Sequence, residues 1–308
     1  MHTLLITGSN GLLGQKLLDY YSQQTNVRVI ATSSGSNRYS TLPTHIIYHT
    51  LNIVSPAEVA SVLDKYKPNS IIHTAAMTNV DECELNPEKC QQINEYGTAN
   101  LIKYCVQHLP NVHFTHLSTD FIFDGTAGPY TELATPNPLS VYAHAKLAAE
   151  NSVLQSTLKA AILRTVLVYG FTPNMSRSNV VLWVKKSLEE NKPINVVTDQ
   201  ARTPTLAEDL AQGCILAEKQ KAQGIYNISS NDFMNIYELA VRVANYFKLD
   251  ATLITPSTSQ GIQQPAKRPP VTGFIINKAI TELGYAPHTF EQGLQIIEQQ
   301  LGSQLLKT

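Results

Sequence analysis

A short apolar run over residues 3–7 is followed at once by Gly8-Ser9-Asn10-Gly11-Leu12-Leu13-Gly14 and then by a helical pattern extending through about Gln23. Strand, glycine-rich turn and helix in that order constrain the fold more than any other feature of the chain. Glycines permit a tight turn and close approach of backbone to a ligand. The helix that follows offers free N–H groups and the positive end of its dipole to a pyrophosphate. The spacing is GxxGxxG rather than GxGxxG, so its weight comes from context as much as from the glycines. Gly8, Asn10, Gly11, Leu12, Leu13 and Gly14 are the candidate phosphate-binding residues of a dinucleotide site.

A second strand over 27–32 runs into Ser33, Ser34 and Arg38, and no acidic residue stands between Asp19 and Glu58. A carboxylate near this point would hold the ribose 2′-hydroxyl of NADH, whereas hydroxyls and an arginine suit a 2′-phosphate. The expected cofactor is NADPH, with NADH as the alternative. Strands over 45–49, 70–75, 112–117 and 160–165 alternate with helices over 56–66 and 87–108. That alternation predicts an α/β fold, a doubly wound, Rossmann-like parallel sheet with right-handed crossovers. Ligands of such sheets lie beyond the carboxyl ends of the strands. Asn52 and Ile53, Ala75, Ala76, Met77 and Thr78, and Thr119 and Asp120 all fall there.

Tyr142 and Lys146 are four apart on a predicted helix, so phenol and ammonium project from one face. With Thr119 they form the candidate catalytic set. Reducing a carbonyl requires hydride at carbon and a proton at oxygen. A phenol of pKa about 10 can provide the proton. A nearby ammonium that lowered the pKa by roughly three units would supply about 4 kcal/mol of differential interaction. Lys146 is also placed to hold the nicotinamide ribose, and Thr119 to hydrogen-bond the carbonyl oxygen.

Beyond Gly170 the pattern loosens: helices over 180–190, 206–219 and 236–247, strands over 194–197 and 226–228, a long loop over 255–270, and closing helices over 277–283 and 289–301. The reading is a dinucleotide-binding domain over 1–170 and a second, smaller α/β substrate-binding domain over 171–308. A net charge of −1 with interspersed signs excludes a field that would gather nucleic acid or an anionic membrane. The expected partner is a small molecule, the expected compartment the cytoplasm, and a homodimer stays open as an assembly. Cys83, Cys90, Cys105 and Cys214 lack CxxC spacing and read as reduced thiols. His113 and His116 alternate across a strand without a third ligand, so no metal site is expected.

Taken together, GSNGLLG at Gly8, HTAAMTNVDECE from His73, STDFIFDG from Ser118, YAHAK at Tyr142, VYG at Val168, VTDQARTPTLAEDLA from Val197 and KRP at Lys267 resemble the extended short-chain dehydrogenase/reductases, and within them the dTDP-4-dehydrorhamnose reductases. The resemblance covers nearly the whole chain. It implies NADPH- or NADH-dependent reduction of the 4-keto group of a dTDP-linked 6-deoxysugar, with Thr119, Tyr142 and Lys146 as the catalytic set. The related 4,6-dehydratases carry Thr-Asp-Glu, and here Phe121 replaces the glutamate, so an acid–base elimination of water is disfavoured.

Departures gather on the substrate side. Asn52 stands where the reductases have aspartate, Leu167 where they have a tryptophan, and Arg202 where they have a glycine. Thr78, Asp120, Phe121, Arg202 and Arg268 are the candidate substrate contacts, the two arginines as bidentate partners of a diphosphate. Two further readings stand beside the first. Leu167 and Arg202 also fit a reductase or epimerase of another sugar nucleotide. The regulatory subunit of methionine adenosyltransferase resembles the same reductases and works as a binding partner, so a retained fold need not mean retained catalysis.

Overall fold

A computed structural model describes residues 1–175, 177–261 and 264–305. The first half is built on six strands, β1 (His2–Thr7), β2 (Val27–Ser33), β3 (Ile46–Thr50), β4 (Ser70–His73), β5 (His113–Thr119) and β6 (Lys159–Thr165). Between them run α1 (Leu12–Tyr21), α2 (Pro56–Tyr66), α3 (Val80–Leu85), α4 (Pro87–Gln91), α5 (Gly97–His108) and α6 (Val141–Leu154). The second half adds β7 (Val168–Tyr169), α7 (Val180–Glu189), β8 (Ile194–Val197), β9 (Ala201–Arg202), β10 (Thr205–Leu206), α8 (Ala207–Gln220) and β11 (Gly224–Ile228). It closes with β12 (Met234–Asn235), α9 (Ile236–Tyr246), β13 (Ile254–Ser257) and α10 (Phe290–Leu305).

The main sheet is seven-stranded and parallel throughout, in the order β11-β6-β5-β4-β1-β2-β3. The chain leaves β1 toward β2 and β3, then returns to place β4 on the other side of β1. That reversal opens a crevice at the carboxyl ends of β1 and β4, and the glycine loop sits at its mouth. Alternation along the buried strands divides the core: Leu4 and Ile6 enter the cluster with Leu17 and Leu18 of α1 and Leu210 and Cys214 of α8. Leu5, Ile71 and Phe114 face the opposite cluster, with Val59 and Leu63 of α2 and Leu101 and Ile102 of α5. A third cluster joins Val181, Val184 and Leu188 of α7 to α9 and α10.

Several expectations are revised. The helix expected over 87–108 is broken: α4 gives way to a π-helical turn, Gln92–Tyr96, before α5. Asn94 explains the break, because its amide grips the backbone of Met77 in both directions, at 2.8 and 3.0 Å. The loop expected over 255–270 begins instead as a strand, since β13 pairs in parallel with β8; its residues 262 and 263 lie outside the described residues. The closing helix over 277–283 contains a π-helical turn, Ala279–Leu283. β11, from the second half of the chain, completes the main sheet beside β6, and α8 packs beneath that sheet.

Candidate active site

A single cleft of about 1130 Å³ runs along the carboxyl ends of β1, β2, β4 and β5 and out past α7. Pockets for one drug-sized ligand span about 300–1,000 Å³, so the cleft has room for more than one.

One end joins glycines and small side chains to a few larger apolar ones. Gly8, Gly11, Leu12, Leu13, Gly14, Ser33, Ser34, Asn52, Ile53, Ala75, Ala76 and Met77 line it. Gly8 is left-handed at φ +68, and a Cβ there would stand 2.7 Å from the Ala75 nitrogen. A Cβ on Gly14 would stand 2.4 Å from the Gly8 carbonyl oxygen. No substituent fits at either place. The Gly11 N-cap of α1 has no side-chain cap, whereas Ser55, Asn79, Ser140, Asn179 and Asn235 each cap the helix that follows them. The first-turn N–H groups of α1 are thus left for an anion, and the residues present fit a dinucleotide pyrophosphate.

Two of the sequence candidates lie beside this end. Asn10 braces the turn after β2, its amide donating to Ser33 Oγ (2.6 Å) and the Ser36 carbonyl (2.8 Å) while its oxygen accepts from the Arg38 amide (3.0 Å). Neither Asn10 nor Arg38 lines the cleft, and Arg38 is exposed. Asn52 does line it, with its carboxamide oxygen accepting from the Val54 amide at 3.1 Å.

At the middle of the cleft the three catalytic candidates come together. Thr119 ends β5, and its hydroxyl accepts from the Phe121 amide and donates to Asp120, each at 3.2 Å. Ser140 caps α6 and so aims Tyr142, one residue into the helix, at the same point. Burial pushes the Tyr142 phenol well above its ordinary pKa, and a hydrogen bond with the Thr119 hydroxyl opposes the rise. The direction is the reverse of the lowering expected from the spacing with Lys146. Burial is the stronger effect, and the ammonium is occupied: it donates to the Leu117 carbonyl at 2.5 Å and meets His116 Nε2 at 3.5 Å. Burial in turn lowers Lys146 to about 8, with Glu150 opposing. His116 stacks on His73, ring centroids 5.5 Å apart, and burial keeps both imidazoles neutral.

The far end holds Thr78, Val80, Lys89, Phe121, Leu167, Met175, Trp183 and Arg268 among its lining. Phe121 meets Tyr142 edge-on at 6.1 Å. The two arginines part company. Arg268 lines the cleft but is held by Asp81 in a bidentate pair, 2.7 and 3.0 Å. Arg202 lies behind the wall, its guanidinium donating to the carbonyls of Ala201, Pro269 and Pro270, with Nε 3.6 Å from Asp120. It is sealed and does not reach the cleft, which corrects its expected role as a diphosphate ligand. Asp120 lines the cleft floor but is buried, shared among Thr119, Thr272 and Arg202. Sequence reasoning missed Asn94, His116 and Trp183. The first two carry no signal, but Trp183 is the only tryptophan in the chain.

The family described as the RmlD substrate binding domain matches residues 1–302. The chain belongs to that family. Among its relatives, methionine adenosyltransferase 2 subunit beta of Xenopus laevis is 32% identical over 264 residues, 84% of this chain and 76% of that protein. The probable low-salt glycan biosynthesis reductase Agl14 of Haloferax volcanii is 30% identical over 296 residues, 95% and 96% of the two chains. Among solved structures, a dTDP-4-dehydrorhamnose reductase of Clostridium acetobutylicum superposes with a TM-score of 0.85 at 28% identity, covering 97% and 99%. The Bacillus anthracis dTDP-4-dehydrorhamnose reductase, solved with NADP, gives 0.81 at 25%, again covering 97% and 99%. Structural relatives in this family therefore bind a nicotinamide dinucleotide, and the uncapped α1 and glycine turn described above are the part of this chain that matches such a ligand.

Proposed function

We propose that the protein is an NAD(P)H-dependent reductase of the 4-keto group of a nucleotide-linked deoxysugar, with dTDP-4-dehydrorhamnose, giving dTDP-rhamnose, as the first substrate to test. One observation carries this reading: Thr119, Tyr142 and Lys146 line one and the same cleft as the glycine turn. Names of relatives add support, two of the four being dTDP-4-dehydrorhamnose reductases and a third a glycan biosynthesis reductase.

The glycine-lined end would hold a reduced nicotinamide dinucleotide, which would supply the hydride for the carbonyl carbon. Tyr142, kept protonated by burial, gives its proton to the carbonyl oxygen. Thr119 turns its hydroxyl from Asp120 to the same oxygen and fixes its position. Lys146 would hold the cofactor ribose and provides positive charge as the phenolate forms. NADPH is the favoured cofactor, on Ser33 and Ser34 at the end of β2 and the absence of a carboxylate there. The segment after Gly170, apart from α8 and β11, forms the substrate side.

The purified protein is expected to consume NADPH when given the 4-keto sugar nucleotide. Tyr142→Phe should lower kcat by about 10²–10⁴-fold with NADPH affinity unchanged. Full turnover in that variant would sink the mechanism. The likeness to methionine adenosyltransferase 2 subunit beta favours a second reading, a binding subunit without turnover. Co-migration with a methionine adenosyltransferase, together with no NADPH consumption on any 4-keto nucleotide sugar, would put that reading first.

A further inference from the structure

Lys146 is anchored from behind by two consecutive residues of β5. Its ammonium donates to the Leu117 carbonyl at 2.5 Å and lies 3.5 Å from His116 Nε2, and among the described residues these are its hydrogen-bond partners. An ammonium has three N–H groups, so with both contacts on β5 one is left for the cleft, which Lys146 lines. His116 is itself fully buried, and its Nδ1 has no partner among the described residues. Burial, with Lys146 and His73 adding to it, keeps the ring neutral, so it carries a single proton. Placed on Nε2, that proton would point at the ammonium; placed on Nδ1, it is stranded in the interior. Buried polar groups are rarely left without a partner, and this ring leaves Nδ1 unpaired while Nε2 is turned on a cation. His73, stacked on the same ring, is taken up by Thr7 and Thr98 at 2.7 and 3.0 Å, so neither of its nitrogens is free to relieve Nδ1.

Resting on the reductase reading above, we propose that His116 is a positioning residue: its Nε2 accepts one N–H of Lys146 and, with the Leu117 carbonyl, holds the ammonium charged and its third N–H toward the cleft. The proton of the ring then sits on Nδ1. When Lys146 loses its own proton its nitrogen becomes an acceptor, and the ring answers by donating from Nε2. The tautomer of His116 thus follows the charge of Lys146. The other titratable groups at this point do not replace it. Glu150 favours the ammonium but is committed to Arg164 in a bidentate pair, 2.7 and 3.0 Å. Cys90 of α4 takes the Asn94 amide at 3.3 Å rather than the ammonium. Tyr142 is held protonated by burial, and Asp120 is shared among Thr119, Thr272 and Arg202.

The test follows kcat/KM with NADPH and the 4-keto sugar nucleotide from about pH 6 to about pH 10 in wild type, His116→Leu and His116→Gln. Leucine fills much of the ring's place without an acceptor, and glutamine restores one. The wild-type alkaline limb is expected at about 8. His116→Leu should move it about one pH unit lower, since an ammonium that loses a hydrogen bond holds its proton less tightly. His116→Gln should bring it back. A role in packing alone would lower the melting temperature of His116→Leu and leave the limb in place, and an unshifted limb overturns the proposal. A second measurement needs no turnover: long-range proton–nitrogen NMR spectra of isotope-labelled histidines, with the His116 signals assigned by their absence from His116→Gln. The ring should stay neutral, with its proton on Nδ1 at about pH 6.5 and passing to Nε2 as Lys146 titrates. A ring that carries its proton on Nε2 at that lower pH would overturn the positioning role. Absence of turnover on any 4-keto nucleotide sugar would sink the reductase reading, and the spectra would still decide the contact.

Discussion

Two walls face each other across the cleft, and they meet the same backbone demand in opposite ways. On the sheet wall the left-handed position is Gly8, at φ +68, where no Cβ can be accommodated. On the far wall it is Leu167, at φ +39, a branched residue where such a conformation is costly. The sheet wall leaves no room for a Cβ at Gly8 or Gly14 and so exposes backbone to the cleft. The far wall is built from side chains, and it accepts local strain to present them. One wall suits a ligand part common to many reactions; the other suits a part that varies.

The largest effect should come from putting a side chain on the sheet wall. Gly8→Val combines a β-branched residue at positive φ with a Cβ 2.7 Å from the Ala75 nitrogen, backbone that has nowhere to move. We expect loss of measurable NADPH binding, or failure to fold, read by thermal shift with and without cofactor. A variant with wild-type melting temperature and wild-type cofactor response would break the contrast between the walls.

The contrast also explains what could be read without coordinates. The sheet wall is local in sequence: strand, glycine turn and helix lie within residues 2–21, and Tyr142 and Lys146 sit one helical turn apart. Local chemistry is legible. The far wall is assembled from distant segments. Arg202 looks like a diphosphate ligand until the carbonyls of Pro269 and Pro270 surround it, and Arg268 looks free until Asp81, far back in the chain, pairs with it. Asn94 interrupts a helix through a bond to Met77 that no periodicity reports. β11 joins the main sheet across an expected boundary for the same reason.

A second, intermediate effect concerns charge on the sheet wall. Burial lowers Lys146 to about 8 in the folded protein, so its ammonium is present below that pH and lost above it. If the ammonium is needed, kcat/KM should fall about tenfold per pH unit above roughly 8. Tyr142, pushed up by burial, stays protonated through the same range and adds no limb there. Lys146→Arg keeps its charge at every accessible pH. Its residual activity should lose the alkaline limb, and a limb persisting in that variant would move the titration to another group.

The smallest effect tests the strain on the far wall. Leu167 is half-buried, lies between β6 and β7, and packs at the edges of two apolar clusters. Leu167→Ala removes the packing and keeps the left-handed penalty. Leu167→Gly removes both, relieving about 1–2 kcal/mol of backbone strain while adding roughly 0.5–1 kcal/mol of unfolded-state entropy. Glycine ordinarily destabilises relative to alanine by that same entropy. Here the order should reverse, with Leu167→Gly more stable than Leu167→Ala by up to about 1.5 kcal/mol in urea unfolding. At Gly8 any substitution adds a clash, whereas at Leu167 removing the side chain relaxes the chain. If alanine proves the more stable of the two at 167, the far wall is not strained, and the difference between the walls reduces to side-chain chemistry alone.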